Sequence, residues 1–382
     1  MKFSEIHVPK EVKQGLIHSV QSHRISHTQL FYGQEGTQSL ALAIAYAQYI
    51  SCSNRTEEDS CGTCASCRQF GQLAHPDLHF FFPHPASEKD KISSANYYDE
   101  WRNLLIESKG LFTLNDWYAR IGMENKQGII NKYDIELLLE KNMLKPFESE
   151  YKIFIIWMAD KIQPQMAHKL LKNLEEPDGK TLFILITENY EQMLGTIISR
   201  SQIVKIRNFS REELAGIIEN EQHCDRETAL RRAALADHKL IQALSADCQE
   251  QSSPLFPLFQ EMMRYAYLLY FPNKNFQFGE LLKWIDQMDK AGREQQKQFL
   301  QYSLALIRKC MLKNIRLDEM AVSVPEEEAW MEKFMPFIHT GNITQLYTVI
   351  NESIRHIESN ANTKILLMDL LLTLGKYMKR KN

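Results

Sequence analysis

No apolar run in the 382 residues approaches the roughly 20 needed for a helix to cross a bilayer, so a helical membrane span is not expected. The N-terminal MKFSEIHVPKEVKQGL lacks the apolar core of a secretory signal, which points to a cytoplasmic chain. Neither sign of charge dominates. The 45 Lys and Arg against 48 Asp and Glu leave a formal charge of −3, not the imbalance of a protein that coats nucleic acid or a membrane surface. With 15 Gly and 12 Pro and no internal repeat, collagen-like, solenoid and low-complexity classes drop out. Seven cysteines in a reducing compartment read as thiols or metal ligands rather than disulfides. What remains is an ordinary globular composition, 44% hydrophobic and 24% charged. The length exceeds one typical core, so two or three domains are expected.

The most informative stretch runs from Tyr151 to Arg207. Tyr151–Trp157 is a short apolar, β-rich run of the kind buried on both faces of a parallel sheet. Gln165–Glu176 carries Met166, Leu170, Leu171 and Leu174 at the spacing of a one-sided helix, closed by Pro177 and Asp178-Gly179. Thr181–Thr187 predicts a second buried strand, followed by a short connection to Ser199-Arg200-Ser201. Strand, helix and strand at this separation imply parallel pairing, hence an α/β sheet. Upstream, a helix at Lys10–Gln21 precedes the strand Leu30-Phe31-Tyr32, a loop from Gly33 to Leu40, and a helix at Leu40–Ile50. Strand, glycine loop and helix is the context of a phosphate-binding loop.

Cys52, Cys61, Cys64 and Cys67 form C-x8-C-x2-C-x2-C, the strongest chemical signal taken alone. Four thiolates so close suit tetrahedral Zn²⁺ in a closed, structural site; an iron–sulfur cluster or unligated thiols are the alternatives. Cys224, Cys248 and Cys310 are scattered and read as incidental thiols. His75-Pro76-Asp77 leads into the apolar strand His79–Pro83, and with no nucleophile alongside, His75 and Asp77 read as turn residues. Residues 84–128, with Trp101 and Trp117 and a helix at Tyr97–Lys109, form a polar segment without an assigned role. Ile129–Met143 predicts the helix before the Tyr151 strand. After Asn208 the pattern turns helical. Ser210 with Glu213 makes a capping box, a small three-helix lid spans Arg211–Leu244, and amphipathic helices follow at Leu255–Phe271, Phe278–Ala291, Arg293–Asn314, Glu326–Thr340 and Ile343–Met378. Gly341 or Asn360–Asn362 can break these, and Lys376, Lys379, Arg380 and Lys381 form a basic end.

Leu170-Leu171-Lys172, Leu174–Pro177, Thr196-Ile197 and Ser199-Arg200, with the glycine loop and the four cysteines in the same order, resemble the clamp-loader branch of the AAA+ ATPases. The resemblance implies an α/β AAA+ domain at 1–207, holding a zinc module at 52–67 and the insert at 84–128. A helical lid at 208–249 and an all-α collar at 250–382, where subunits pack side by side, would follow. The departures are as telling as the matches. In the family's loop GxxGxGKT, Gly33 and Gly36 fit, but Gln38, Ser39 and Leu40 replace the glycine, the lysine and the hydroxyl residue. Ser39 supplies no cation for the β/γ-phosphates, and Leu40 has no oxygen for Mg²⁺, although loop N–H groups can still face an anion. Trp157 and Met158 stand where the family has its Mg-binding acidic pair. Asp160 reads as a cap or turn residue, and the second sensor arginine would fall near Ile241. Three ATP-handling devices are degraded together, so no ATP of its own is expected.

Arg200 survives. In the family this arginine reaches a neighbouring subunit's ATP, where a guanidinium offsets charge developing at the γ-phosphate. The bland alternative is a surface ion pair, the kind of role also expected of Lys205 and Arg207 as solvated strand-end charges. The resemblance therefore implies an ATP-inert stator subunit of a replicative clamp loader, not catalytic alone, that supplies Arg200 in trans. Its implied partners are motor subunits of the gamma/tau kind and a delta subunit, with sliding clamp and primer–template DNA reached through the complex. An active motor ATPase, or a zinc-braced binding module outside replication, are the rival readings.

Overall fold

The computed structural model describes residues 1–86, 91–123, 127–245, 252–271 and 276–378. Two compact units emerge, one made of Met1–Met123 and Gln127–Leu244, the other beginning at Ser245. Cys248, Lys379, Arg380 and Lys381 lie outside the described residues.

In the first unit, helix α1 (Lys10–Gln21) precedes β1 (Thr28–Gly33), α2 (Ser39–Ser51), α3 (Ala65–Gly71) and β2 (Leu78–Phe81). The insertion contributes α4 (Tyr98–Ser108) and α5 (Leu114–Arg120), and α6 (Lys132–Met143) leads to β3 (Lys152–Trp157). Then come α7 (Pro164–Glu175), β4 (Thr181–Thr187), the single turn α8 (Gly195–Ile198) and β5 (Gln202–Ile206). The three-helix segment expected as a lid is α9 (Arg211–Gln222), α10 (Arg226–Leu235) and α11 (Leu240–Leu244). The five strands pair in parallel in the order β2-β3-β4-β1-β5, with Leu30 opposite Leu185 and Ile155 opposite Ile184.

Every residue of β3 and β4 is buried, which explains why both read as unbroken apolar runs rather than as alternation. Their side chains split by parity. Ile153, Ile155 and Trp157 join the core formed with α1, α2, α4 and α5, whereas Phe154 and Ile156 join the one formed with α6, α7 and α8. In α7, Ala167, Leu170 and Leu174 are the buried stripe, and Pro164 opens the helix where its missing N–H costs nothing. The result is three layers, helices on both sides of the sheet.

Local signals set the helix boundaries. The helix before β3 starts at Lys132, not Ile129, because Asn131 Oδ1 accepts from the N–H groups of Tyr133 and Asp134 and caps it there. Ile129 and Ile130 instead bridge to His84 and Ile162. The Ile343–Met378 stretch is two helices, broken at one of the expected points, where Asn360 adopts a left-handed φ of 65°.

The lid has its own small core of Leu214, Ile218, Ala229, Ala233 and Leu240. Ser210 and Glu213 form the expected capping box, and Arg207, exposed at the end of β5, makes surface pairs with Glu11 and Glu213. The second unit is all helical: α12 (Leu255–Tyr270), α13 (Phe278–Lys290), α14 (Arg293–Asn314), α15 (Pro325–Phe334), α16 (Ile343–Glu358) and α17 (Thr363–Tyr377) surround Phe259, Phe299, Ile350 and Leu370. Pro336 sits in a single 3-10 turn after α15, which cuts the expected Glu326–Thr340 helix short. Among the described residues no helix is long and apolar enough to cross a membrane.

Candidate functional site

The loop between β1 and α2 is filled by its own chain. Gln38, Ser39 and Leu40 are each 5% exposed or less. Gln38 Oε1 accepts from the His7 N–H at 2.6 Å, Ser39 Oγ lies 2.8 Å from Thr37 Oγ1, and the Thr37 N–H is spent on Gln34 C=O. Gly36 has φ +85° and lies directly under Ile241, whose Cγ2 would be 2.7 Å from a Cβ at that position. The lid thus lays a branched apolar side chain on the loop, at the position where the resemblance calls for an arginine. Asn208 Nδ2 donates to Gln34 Oε1 at 2.7 Å, and Lys239 Nζ meets Glu35 Oε2 at 3.2 Å.

Acidic groups gather beside this loop, opposed by Lys239 and Lys161. Burial, aided by the carboxylates of Glu35 and Asp160, pushes Glu188 at the end of β4 up to about 8. Asp160 accepts from Thr187 Oγ1 at 2.7 Å. It is a turn residue that ties the end of β3 to the end of β4. It is not a helix cap, because α7 has Gln163 as its unbonded N-cap. The chain turns sharply after Trp157 (Met158 has φ 55°), so the side chain does not follow extended-strand alternation. Trp157 and Met158 are both core residues, 4% and 2% exposed. Trp157 packs against Trp101 and Phe112 of the insertion, with ring centroids 5.1 and 5.3 Å apart.

The four cysteines converge. Their Sγ atoms all lie within 4.8 Å of one another, with Cys52–Cys61, Cys61–Cys67 and Cys52–Cys64 at 3.5, 3.9 and 4.0 Å. A tetrahedron with metal–sulfur bonds of about 2.3 Å has edges of about 3.8 Å, so the donor set fits a metal ion. The N–H of Cys61 points at Cys52 Sγ (3.3 Å), that of Cys64 at Cys61 Sγ (3.3 Å) and that of Cys67 at Cys64 Sγ (3.4 Å). Such donors favour thiolate. The Cys64 and Thr63 N–H groups draw the Cys61 thiol down to about 6, whereas burial pushes Cys52 and Cys67 up. Cys224 and Cys310 lie outside the cluster.

Arg200 is exposed, just after α8. Its Nε donates to Glu175, the last residue of α7, and Nη1 donates to Thr196 C=O at 3.1 Å. Lys205 is exposed on the edge strand β5. His75 and Asp77 are buried in a turn. The Asp77 carboxylate accepts from the N–H groups of Phe147, Glu148 and Ser149 and pins the loop before β3, which no local sequence signal announces.

The family described as DNA polymerase III, delta subunit, matches residues 8–210, just over half of the chain. The Bacillus subtilis DNA polymerase III subunit delta' is 31% identical over 187 residues, covering 49% of this chain and 44% of that protein. The B. subtilis subunit tau is 25% identical over 244 residues, 63% of this chain and 35% of that one. The chain therefore spans less than half the length of these relatives. A solved structure of the B. subtilis DNA clamp loader delta protein covers 96% of this chain and 99% of its own at 10% identity, with a TM-score of 0.33. Because the family match runs from the segment before α1 to the cap of α9, it takes in the whole α/β layer, and the chain belongs to the DNA polymerase III delta-subunit family.

Proposed function

We infer that the chain is an ATP-inert, delta-prime-type subunit of a bacterial replicative clamp loader, working in the cytoplasm as a stator beside motor subunits of the gamma/tau kind and a delta subunit. The observation that carries this reading is the filled phosphate loop, with Gln38, Ser39 and Leu40 buried and Ile241 seated on Gly36. A nucleotide would have to displace these contacts without a lysine in the loop to meet its phosphates. Residues 1–207, 208–249 and 250–382 would act as AAA+ core, lid and collar.

Arg200 supports the other half of the reading. It is exposed, and the guanidinium is held by a surface carboxylate, the Thr196 carbonyl and the Ser199 hydroxyl. An exposed ion pair is worth about 0–1 kcal/mol, so a neighbour's γ-phosphate, with more charge and more acceptor oxygens, can take the arginine from Glu175. Arg200 would then steady charge developing during phosphoryl transfer in the adjacent motor subunit while the sliding clamp is placed on primed DNA. The cysteine cluster would hold a structural Zn²⁺. Closed by four protein ligands, it leaves no position for chemistry and braces the loop between α2 and α3.

The test is reconstitution with motor and delta subunits. Arg200→Ala should leave the fold intact and lower the loader's DNA- and clamp-stimulated ATP turnover by at least about tenfold. Turnover equal to wild type refutes the finger role.

A further inference from the structure

The insertion has no role in the reading above, yet it touches three elements that border the would-be nucleotide site. Its ends are fixed. Asp134 is fully buried and accepts from His84 Nε2 (2.7 Å) and the Ser94 N–H (2.7 Å), while Trp117 Nε1 donates to Pro83 C=O (2.7 Å). Between α4 and α5 the chain reverses through Lys109 and Gly110, both left-handed with φ 53° and 72°. At its tip, Gly110 lies against the first turn of α2; a Cβ there would be 3.0 Å from Ala41 Cβ and 3.5 Å from Ala41 N. The next residue, Leu111, packs into the core of the lid, and Phe112 packs on Trp157 at the end of β3. Three consecutive residues thus contact the helix after the loop, the lid, and the position where an acidic pair would hold Mg²⁺.

A ligand lying between two lobes bridges them. When it is lost, the bridging contacts must come from the protein or the lobes move independently. We propose that the turn Ser108–Thr113 is an internal strap that stands in for a nucleotide, holding the three-helix lid on the α/β layer in the ligand-free chain. This rests on the ATP-inert reading, since a chain that bound a triphosphate would already have a ligand to bridge the two lobes. The apolar contact of Leu111 with the lid adds to the Lys239–Glu35 pair and the Ile241–Gly36 contact, and unlike the ion pair it does not weaken in salt.

Hydrogen exchange on the full chain without nucleotide, read by mass spectrometry, tests this. In Leu111→Ser, exchange in peptides covering α9 and α10 should rise by about tenfold, the response to losing one partly buried leucine contact, while peptides from β3, β4 and the second unit stay as in wild type. Gly110→Ala, which places a Cβ against Ala41 at a positive φ, should act in the same direction. Should Leu111→Ser fail to fold, Leu111→Ala is read by the same peptides. Lid exchange within about twofold of wild type in a folded Leu111 variant overturns the strap. So does wild-type lid exchange that falls on adding Mg-ATP. Nucleotide binding measured on the same samples separates the two ideas. A chain that binds none, but whose lid ignores Leu111, stays ATP-inert and loses the strap.

Discussion

Trp101→Ala is expected to unfold most of the first unit's margin of stability. Trp101 is 0% exposed and stacks on Phe82 at 4.2 Å and 17°. It meets Trp117 and Phe112 edge-on at 5.2 and 5.6 Å, and Trp157 at 5.1 Å. Truncating a buried tryptophan costs about 3–5 kcal/mol, and aromatic pairs add about 0.5–1.5 kcal/mol each beyond the area they bury. Against a usual domain stability of about 5–15 kcal/mol, the variant should lose about 4 kcal/mol or more. Trp101→Phe should behave differently. Nε1 of Trp101 is buried with no partner among the described residues. Phenylalanine removes that stranded donor, worth about 1–3 kcal/mol, and so offsets much of the smaller ring's lost packing. The net change should be about 1 kcal/mol. With two units in the chain, a single urea curve is not two-state, so circular dichroism should be paired with peptide-resolved exchange that follows β3 and β4. A loss below about 1 kcal/mol in Trp101→Ala would mean the insertion is an appendage, and the packing account would fail.

The isolated chain should carry a single metal ion; cobalt in its place should show thiolate charge-transfer bands, lost in Cys61→Ser and kept in Cys224→Ser, and retention in both would disprove the cluster as the site. Glu188 titrates near 8 in the native chain against an ordinary 4.5, so its contribution is intact below about 4.5 and is lost as pH rises through about 8. Glu188→Gln should therefore stabilise by roughly 1–3 kcal/mol above pH 8 and hardly at all near pH 4.5; an equal shift of the urea midpoint at both pH values would contradict the burial argument. Glu175→Ala, which releases Arg200 from an exposed pair, should change stability by less than about 1 kcal/mol and leave loader turnover within about twofold of wild type, and a collapse matching Arg200→Ala would assign the role to the pair instead.

Much of the α/β layer was legible because β3 and β4 are buried on both faces and Val, Ile, Leu and Phe fill such strands whatever follows. Thr181–Thr187 coincides with its predicted range for that reason. The four cysteines were legible because their ligand spacing is local. What escaped depends on partners distant in sequence. Trp101 and Trp117 looked like residues of a polar insertion, since Phe82, just after β2, and Trp157, at the end of β3, which pack on them, are distant in sequence. Asp77 reads locally as a turn, whereas its carboxylate acts about 70 residues away on the loop before β3. Ile129 was misread because two isoleucines continue a helical pattern that the Asn131 cap ends. Ile241 was legible only as a missing arginine; that it rests on Gly36 required the lid to be placed.

The central claim is that this chain's own phosphate loop is closed to nucleotide. Equilibrium binding of Mg-ATP to the isolated full-length chain, by calorimetry at concentrations reaching about 1 mM, bears on it most directly. No saturable binding is the predicted result. Stoichiometric binding in the micromolar range, abolished by Ile241→Glu at the residue that covers Gly36, would contradict it.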